Sequence, residues 1–436
     1  MQIIKKLIVF ILTVESRLIL KKYKPFVIAV TGSVGKTATK DAIFCALKSS
    51  GHVRKSDKSM NSEIGLPLTI IGVPNAWKSM SGWISNIQAG AKLILSKAVY
   101  PEVLILEIGA DHPNDIKKVV TWLRPDIAII TKVGDKPVHV EFFDSPAQVF
   151  EEKSALARAI KPGGTAVLFA DEPKIVALGE ELKTKGIIVE TFGAAENSTV
   201  RGSKYTPSYE MVGSAKVPTG FTFELTVGLE TKIIAVKNVV GQTFMYPLLA
   251  AVAVAQVRKI DLGVAIENIH SYEAPKGRMN IIAGKNGTTL IDDTYNSSPD
   301  AVFAALNTLH GLDCAGKKIA VLGDMMELGQ YSSDEHRGVG KKVYGIADVL
   351  IAVGPRTKTL VEEALASGMK PESVRWYSSS VEAGEGLQSM ISSGDIILIK
   401  GSQSPRLERV TKALMADPSQ AETLLVRQEK EWLEKK

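Results

Sequence analysis

Phe26–Lys40 reads FVIAVTGSVGKTATK, an apolar strand running into a glycine-punctuated turn and then a lysine and a threonine that open a helix. Helical spacing continues through Ile43, Ala46 and Leu47, which favours a strand–turn–helix unit over a plain turn that happens to contain Gly and Lys. A helix N-terminus has backbone N–H groups without intrahelical acceptors and the positive end of the macrodipole, so anions are favoured there. The stretch predicts a nucleotide triphosphate cradle built from Thr31, Gly32, Ser33, Val34, Gly35, Lys36 and Thr37. Amides of residues 32–36 would converge on phosphate oxygens, Lys36 would reach the terminal phosphates, and Thr37 would meet magnesium. The usual loop has a glycine five residues before the second one. Val30 stands there, leaving a compact T-G-x-x-G-K-T variant.

Outward from this unit, apolar strands at Phe26–Val30, Val103–Ile108, Ile127–Thr131 and Thr165–Phe169 alternate with helical patterns, which predicts a mostly parallel sheet. From Val200 to Val239 the pattern becomes alternating and β-rich, broken by Pro and Gly, and reads as a small antiparallel excursion. A helix through Leu248–Val257 leads to a hinge punctuated by Pro275 and Gly277. Strands at Thr289–Ile291, Lys318–Leu322, Val349–Val353 and Ile396–Ile399 then restart the βαβ rhythm as a second α/β domain. The expected division is 1–25, 26–273 and 274–436. Neither an internal repeat nor a low-complexity tract interrupts it.

The chain has 436 residues, enough for roughly three domains with proper apolar cores. Its formal charge of +6 is modest and interspersed, which gives no reason to invoke nucleic acid and suits anionic small substrates. Cys45 and Cys314 are too few and too distant for a zinc cluster or a disulfide framework, and a reducing cytoplasm fits best. The apolar run Leu7–Val14 is too short to span a bilayer, which takes about twenty residues. No small-residue cleavage site follows it. Two readings stay open for residues 1–25: an amphipathic helix packed on the first domain, or a basic amphipathic helix lying on a membrane surface or a partner.

Nine motifs in order carry a resemblance to the Mur ligase family: TGSVGKT at Thr31, NSEIGLPLTI at Asn61, EIGADHPNDI at Glu107, VHVEFFDS around His139, EEKSAL around Lys153, PKGRMNII at Pro275, IDDTYNSSPDA at Ile291, VLGDMMELG at Val321 and KGSQSPR at Lys400. The resemblance covers roughly residues 26–415. It implies a central P-loop ATPase domain, a Rossmann-like C-terminal domain that brings the incoming amine, and ATP with magnesium as cofactors. It further implies that Glu107, His139 and Lys153 serve magnesium alongside Thr37, with Lys153 carried as a carbamate, and that Arg278 reaches the γ-phosphate from across the cleft. By the same likeness, Asp292, Asp293, Tyr295 and Asn296 contact ribose and phosphates, while Asn61, Glu63, Asp324, Glu327, Ser402 and Arg406 face substrates.

Residue chemistry leaves plainer readings beside these. Glu107 at a strand end suits a hard cation, though a solvated loop carboxylate has the same signature. His139 alone says little. Lys153 could be a helix-surface lysine paired with Glu151 or Glu152, and DDTYNSSPD could be a strand end followed by a helix cap. Three departures stand out: about twenty-five residues precede the loop, where the family's sugar-nucleotide domain would be expected; Lys132 replaces a more usual asparagine; Thr243 and Pro247 replace histidine and asparagine. The implied reaction is ATP-dependent amide formation through an acyl phosphate, joining D-alanyl-D-alanine or a similar amine to a peptide carboxylate. A ligase with another acid acceptor, as in folylpolyglutamate, cyanophycin-like or poly-glutamate synthesis, and a non-catalytic nucleotide-dependent scaffold are the alternatives. A monomer acting on small molecules is expected.

Overall fold

A computed structural model describes residues 2–57, 59–135, 140–213 and 215–434. Two sheets organise the chain. In the first, β1 (Phe26–Thr31), β2 (Val53–Lys55), β3 (Val103–Glu107), β4 (Ile127–Ile130), β5 (Thr165–Phe169), β6 (Ile188–Gly193), β7 (Val200–Val212), β8 (Ala215–Val227) and β9 (Glu230–Lys237) form nine strands in the order β2-β3-β1-β4-β5-β6-β7-β8-β9. Pairs are parallel from β2 to β7 and antiparallel from β7 to β9. The second sheet holds β10 (Asn280–Ala283), β11 (Thr289–Asp293), β12 (Lys318–Gly323), β13 (Val349–Val353), β14 (Val374–Tyr377) and β15 (Ile396–Lys400) in the order β10-β11-β15-β12-β13-β14. Only β10 is antiparallel to its neighbour. The α/β class expected from the alternating pattern is the one observed.

Apolar runs bounded by turns explain the central strands. Val27–Val30, Leu104–Leu106 and Ile127–Ile130 are buried on both faces, as strands covered by helices on each side should be. Each such Val, Ile or Leu taken out of water contributes about 1.5–3 kcal/mol before entropy is charged. The helix Met245–Val257 is apolar all round and almost wholly buried, packed against β5, β6, β7 and α2 (Lys36–Leu47). The β-rich segment is larger than a small excursion. Its strands β7 and β8 run 13 residues each, continuing through Pro207, Pro218 and Gly220, with register shifts at Ser203/Thr206 and Ser208/Tyr209 absorbing the irregularity.

At the N-terminus, α1 (Gln2–Tyr23) packs on α3 (Gly65–Ile71) and α4 (Met80–Leu95). Ile8, Leu12, Ile19, Glu15 and Ser16 face inward, while Ile3, Leu7, Phe10, Val14 and Leu18 face outward. No helix among the described residues is long and apolar enough to cross a membrane.

Candidate active site

β1 ends in a loop that only glycine can shape. Gly32 has φ +147° and Gly35 has φ +86°, and a Cβ on Gly32 would sit 1.9 Å from Thr131 Oγ1. Thr131 in turn donates to Val34 O at 2.7 Å and Thr31 O at 3.2 Å, so the strand ends of β1 and β4 hold the loop's curvature. The amides of Ser33 and Val34 donate to Lys132 O at 2.9 and 3.0 Å. This corrects the expectation that every amide from 32 to 36 faces an anion. The amide of Gly35, the left-handed cap, and the first-turn amides of α2 from Lys36 onward carry no such bond and face the site as donors for phosphate.

Lys36 folds back over this turn and donates to Gly32 O at 3.0 Å. Burial pushes its ammonium pKa down, while Glu107 and Asp111 pull it up and Arg278 pushes it down again. Glu107 is buried at the end of β3 and accepts from Thr37 Oγ1 at 3.0 Å, Ser59 Oγ at 2.7 Å and Asn61 Nδ2 at 3.1 Å. A solvated loop carboxylate is therefore not its state.

These groups form one wall of a cavity of about 690 Å3. Ser33, Val34, Gly35, Lys36, Thr37, Asn61, Glu107 and Lys153 come from the first sheet's side, with Ser59 and Asp111 joining them. Arg278, Tyr295, Asn296, Glu327, Ser402 and Arg406 come from the second, with Ser297, Ser298, Gln403, Ser404 and Trp432. The Arg278 guanidinium lies 4.3 Å over the Tyr295 ring, which pins its fork at the cleft. Lys132, the departure beside the loop, reaches Asp300 of the helix Pro299–Gly311 at 3.3 Å and so ties the two walls together. Thr243 and Pro247 do not line the cavity.

Lys153 sits on α6 (Pro146–Arg158) and is buried. Burial and the neighbouring Lys36 lower its pKa to about 7, against pulls from Asp111 and Glu152. Its surface reading is excluded. Glu152 instead accepts from the amides of Asn114, Ile116 and Lys117 at the head of α5 (Asp115–Val120), and Glu151 pairs with Arg158.

Several expected residues lie elsewhere. Asp292 is buried beneath the cavity and accepts from Thr411 at 2.8 Å. Its pKa is raised to about 7 by burial. Asp293 pairs with Lys400 at 2.7 Å, so neither carboxylate lines the cleft. Glu63 turns outward to Lys5 at 3.3 Å. Asp324 accepts from the amides of Arg356 and Thr357, holding the turn that leads into the helix Lys358–Ala366, and does not line the cavity. Thr31 and Gly32 lie under the loop's lining. His139 is outside the described residues. Ser298 caps the helix Pro299–Gly311 by accepting from Ala301 N at 3.4 Å, so the helix-cap reading of that motif holds while its neighbours line the cleft.

The residues fit a nucleotide. Ser33 Oγ is buried without a partner at the loop, and the Lys36 ammonium is desolvated close beside it. Among the described residues no group of three or more His, Cys, Asp and Glu could hold a metal ion alone. Thr37 with one carboxylate is nonetheless the donor set a magnesium ion uses when phosphates and waters complete its shell.

The description "Mur ligase middle domain" matches residues 30–255, and "Mur ligase, glutamate ligase domain" matches 277–403. The chain belongs to the Mur ligase family. It is 26% identical over 392 residues to the UDP-N-acetylmuramoyl-tripeptide--D-alanyl-D-alanine ligase of Bacillus subtilis, covering 90% of this chain and 76% of that one. MurF ligase from Thermotoga maritima, solved in complex with ADP, superposes with TM-score 0.74 at 25% identity over 95% of this chain and 84% of that chain. MurF from Acinetobacter baumannii, at 22% identity, shares the fold with TM-score 0.75 over 93% and 80%.

Proposed function

We propose that this Mur ligase forms an amide bond at the expense of ATP, adding D-alanyl-D-alanine to the peptide carboxylate of a UDP-muramoyl tripeptide. One observation carries the reading: the anion-receptive loop with Lys36 and the Glu107 cluster faces Arg278 across a single cavity, so opposite walls can hold both ends of a phosphoryl transfer. The relatives named for that reaction lend the substrates. In the first step an acceptor carboxylate oxygen attacks the γ-phosphorus and ADP leaves. In the second, the amine attacks the acyl carbon, phosphate departs and a proton is lost.

Chain groups act chiefly by position and charge. The Lys36 ammonium and the Arg278 guanidinium neutralise oxygens gathering charge between two anions. Thr37 and Glu107 would hold magnesium, which supplies further neutralisation of the phosphate oxygens. Lys153, with a pKa near 7, offers the neutral amine that a carbamate needs, and its burial beside Lys36 would make that new anion a partner for cations. Closure of the two walls over the acyl phosphate would keep out the water that otherwise hydrolyses it.

The reading includes the division at residues 25 and 273, a monomer, a cytoplasmic location and a peripheral membrane contact through the outward face of α1. Its test is phosphate release across a panel of acids and amines. Release that needs both the UDP-muramoyl tripeptide and D-alanyl-D-alanine supports it; turnover with a folate or poly-glutamate acid instead, or with no pair at all, refutes it.

A further inference from the structure

A second cavity of about 480 Å3 opens at the N-terminal ends of the parallel strands, opposite the nucleotide loop. Arg17, Lys21, Lys24, Arg124 and Lys161 line it together with Trp122. Lys161 is neutralised by Asp126 at 2.7 Å. No carboxylate among the described residues pairs with the other four. Cations gathered round one hollow repel each other unless an anion joins them.

Two of the five, Arg17 and Lys21, come from α1, and they continue its outward apolar stripe. Ile3, Leu7, Phe10, Val14 and Leu18 recur every three or four residues, so they share one face. Arg17 follows Val14 by three, and Lys21 follows Leu18 by three. Phe10 is 65% exposed and Leu7 56%. The adjoining helix adds exposed Ile84 and Leu95, with Trp77 and Met80 at its start. Apolar surface leading into a cationic hollow is the complement of a lipid leaflet, in which acyl chains lie beneath phosphodiesters.

We propose that this cavity takes the phosphodiester headgroup of an anionic phospholipid while the stripe of α1 enters the acyl boundary of the same leaflet. The inference rests on the peripheral membrane contact proposed above and adds to it a defined headgroup site. A free phosphate would use the cations but not the stripe. A nucleic acid would gain nothing from Ile3, Leu7 and Phe10.

Sedimentation of the full chain with vesicles of phosphatidylglycerol or phosphatidylcholine tests it. Each cation near an anionic leaflet is worth about a fivefold gain in partition, so Lys24→Glu with Arg124→Glu should lower binding to phosphatidylglycerol by tenfold or more. The same pair should leave phosphatidylcholine binding, melting temperature and phosphate release unchanged. Leu7→Ser with Phe10→Ser should abolish binding to both. By calorimetry, dihexanoyl phosphatidylglycerol below its micellar concentration should bind the native chain and not the Lys24/Arg124 variant. If that variant binds phosphatidylglycerol vesicles as the native chain does, the headgroup site is wrong while the membrane contact stands. If the native chain binds no vesicle, the membrane contact itself fails. Inorganic phosphate binding as tightly as the short lipid would overturn the lipid assignment, and so would RNA competing the vesicles away.

Discussion

Replacing Gly32 with alanine should disable nucleotide binding through geometry alone. The new Cβ would lie 1.9 Å from Thr131 Oγ1 and 3.1 Å from both Thr131 Cβ and Thr131 O, at a φ of +147° that side-chain-bearing residues rarely adopt. The backbone conformation costs about 1–3 kcal/mol, and overpacking a filled site costs about 1–3 kcal/mol more. Rotating Thr131 away would forfeit its bonds to Val34 O and Thr31 O, each worth about 0.5–1.5 kcal/mol. The alternative is a loop displaced by more than an ångström, and misplacement on that scale can reduce turnover by about a hundredfold. Differential scanning calorimetry and titration with ATP should show a lower melting temperature and an ATP affinity weakened at least tenfold. Adding Thr131→Ala removes the worst contact but not the φ penalty, so the double variant should recover part of the loss. A Gly32→Ala protein with native melting temperature and native ATP affinity would refute the reasoning.

Lys153→Ala should bind ATP yet release no phosphate with both substrates present, and acetate or propionate should restore part of the activity; full activity in the variant would remove the carbamate. Because its folded pKa is lowered to about 7, the unfolded chain holds more protons between pH 7 and 10.5, so this residue's penalty on stability should shrink as pH rises through that window and vanish above it. A Lys153→Met protein, compared in urea titrations at pH 7 and 9, should gain more over the native chain at pH 7. Arg278→Lys keeps the charge but loses the planar fork held over Tyr295, so kcat should fall about a hundredfold with little change in ATP affinity; a loss confined to ATP affinity would contradict that role. Asp292 has its folded pKa raised to about 7, so its contribution to stability declines as pH climbs from about 4 to 7 and stays low beyond. Asp292→Asn should therefore stabilise the protein more at pH 8 than at pH 5 in thermal melts, and an equal shift at both would rule this out.

Local signals were legible and long-range partnerships were not. The strand–glycine–lysine unit needs only neighbours in sequence, so Phe26–Lys40 revealed its shape directly. The destination of the Ser33 and Val34 amides depends on Lys132, a hundred residues away. The pair Asp292–Asp293 looks like any strand-end acidic pair. Only the parallel register with β15 puts Lys400 opposite Asp293, and only the helix Glu408–Leu414 brings Thr411 to Asp292. Glu63 is two residues from Asn61, yet it turns to α1. Lys153 and Glu152 look alike in the helical pattern, and it is the capping of α5 that fixes Glu152 and leaves the lysine buried at the cleft. Asp111, Gln403 and Ser404 lay inside motifs already singled out and could have been named. Trp432, which covers Arg406 from the C-terminal end, carried no spacing signal.

Magnesium-dependent ATP binding and substrate-dependent phosphate release, measured side by side on the native chain and on Lys36→Ala, test the central claim most directly. The native chain should bind ATP and release phosphate only with acid and amine present, and the variant should lose turnover by about a thousandfold or more. Native turnover in Lys36→Ala, or a native chain that does not bind ATP with magnesium, would contradict the account.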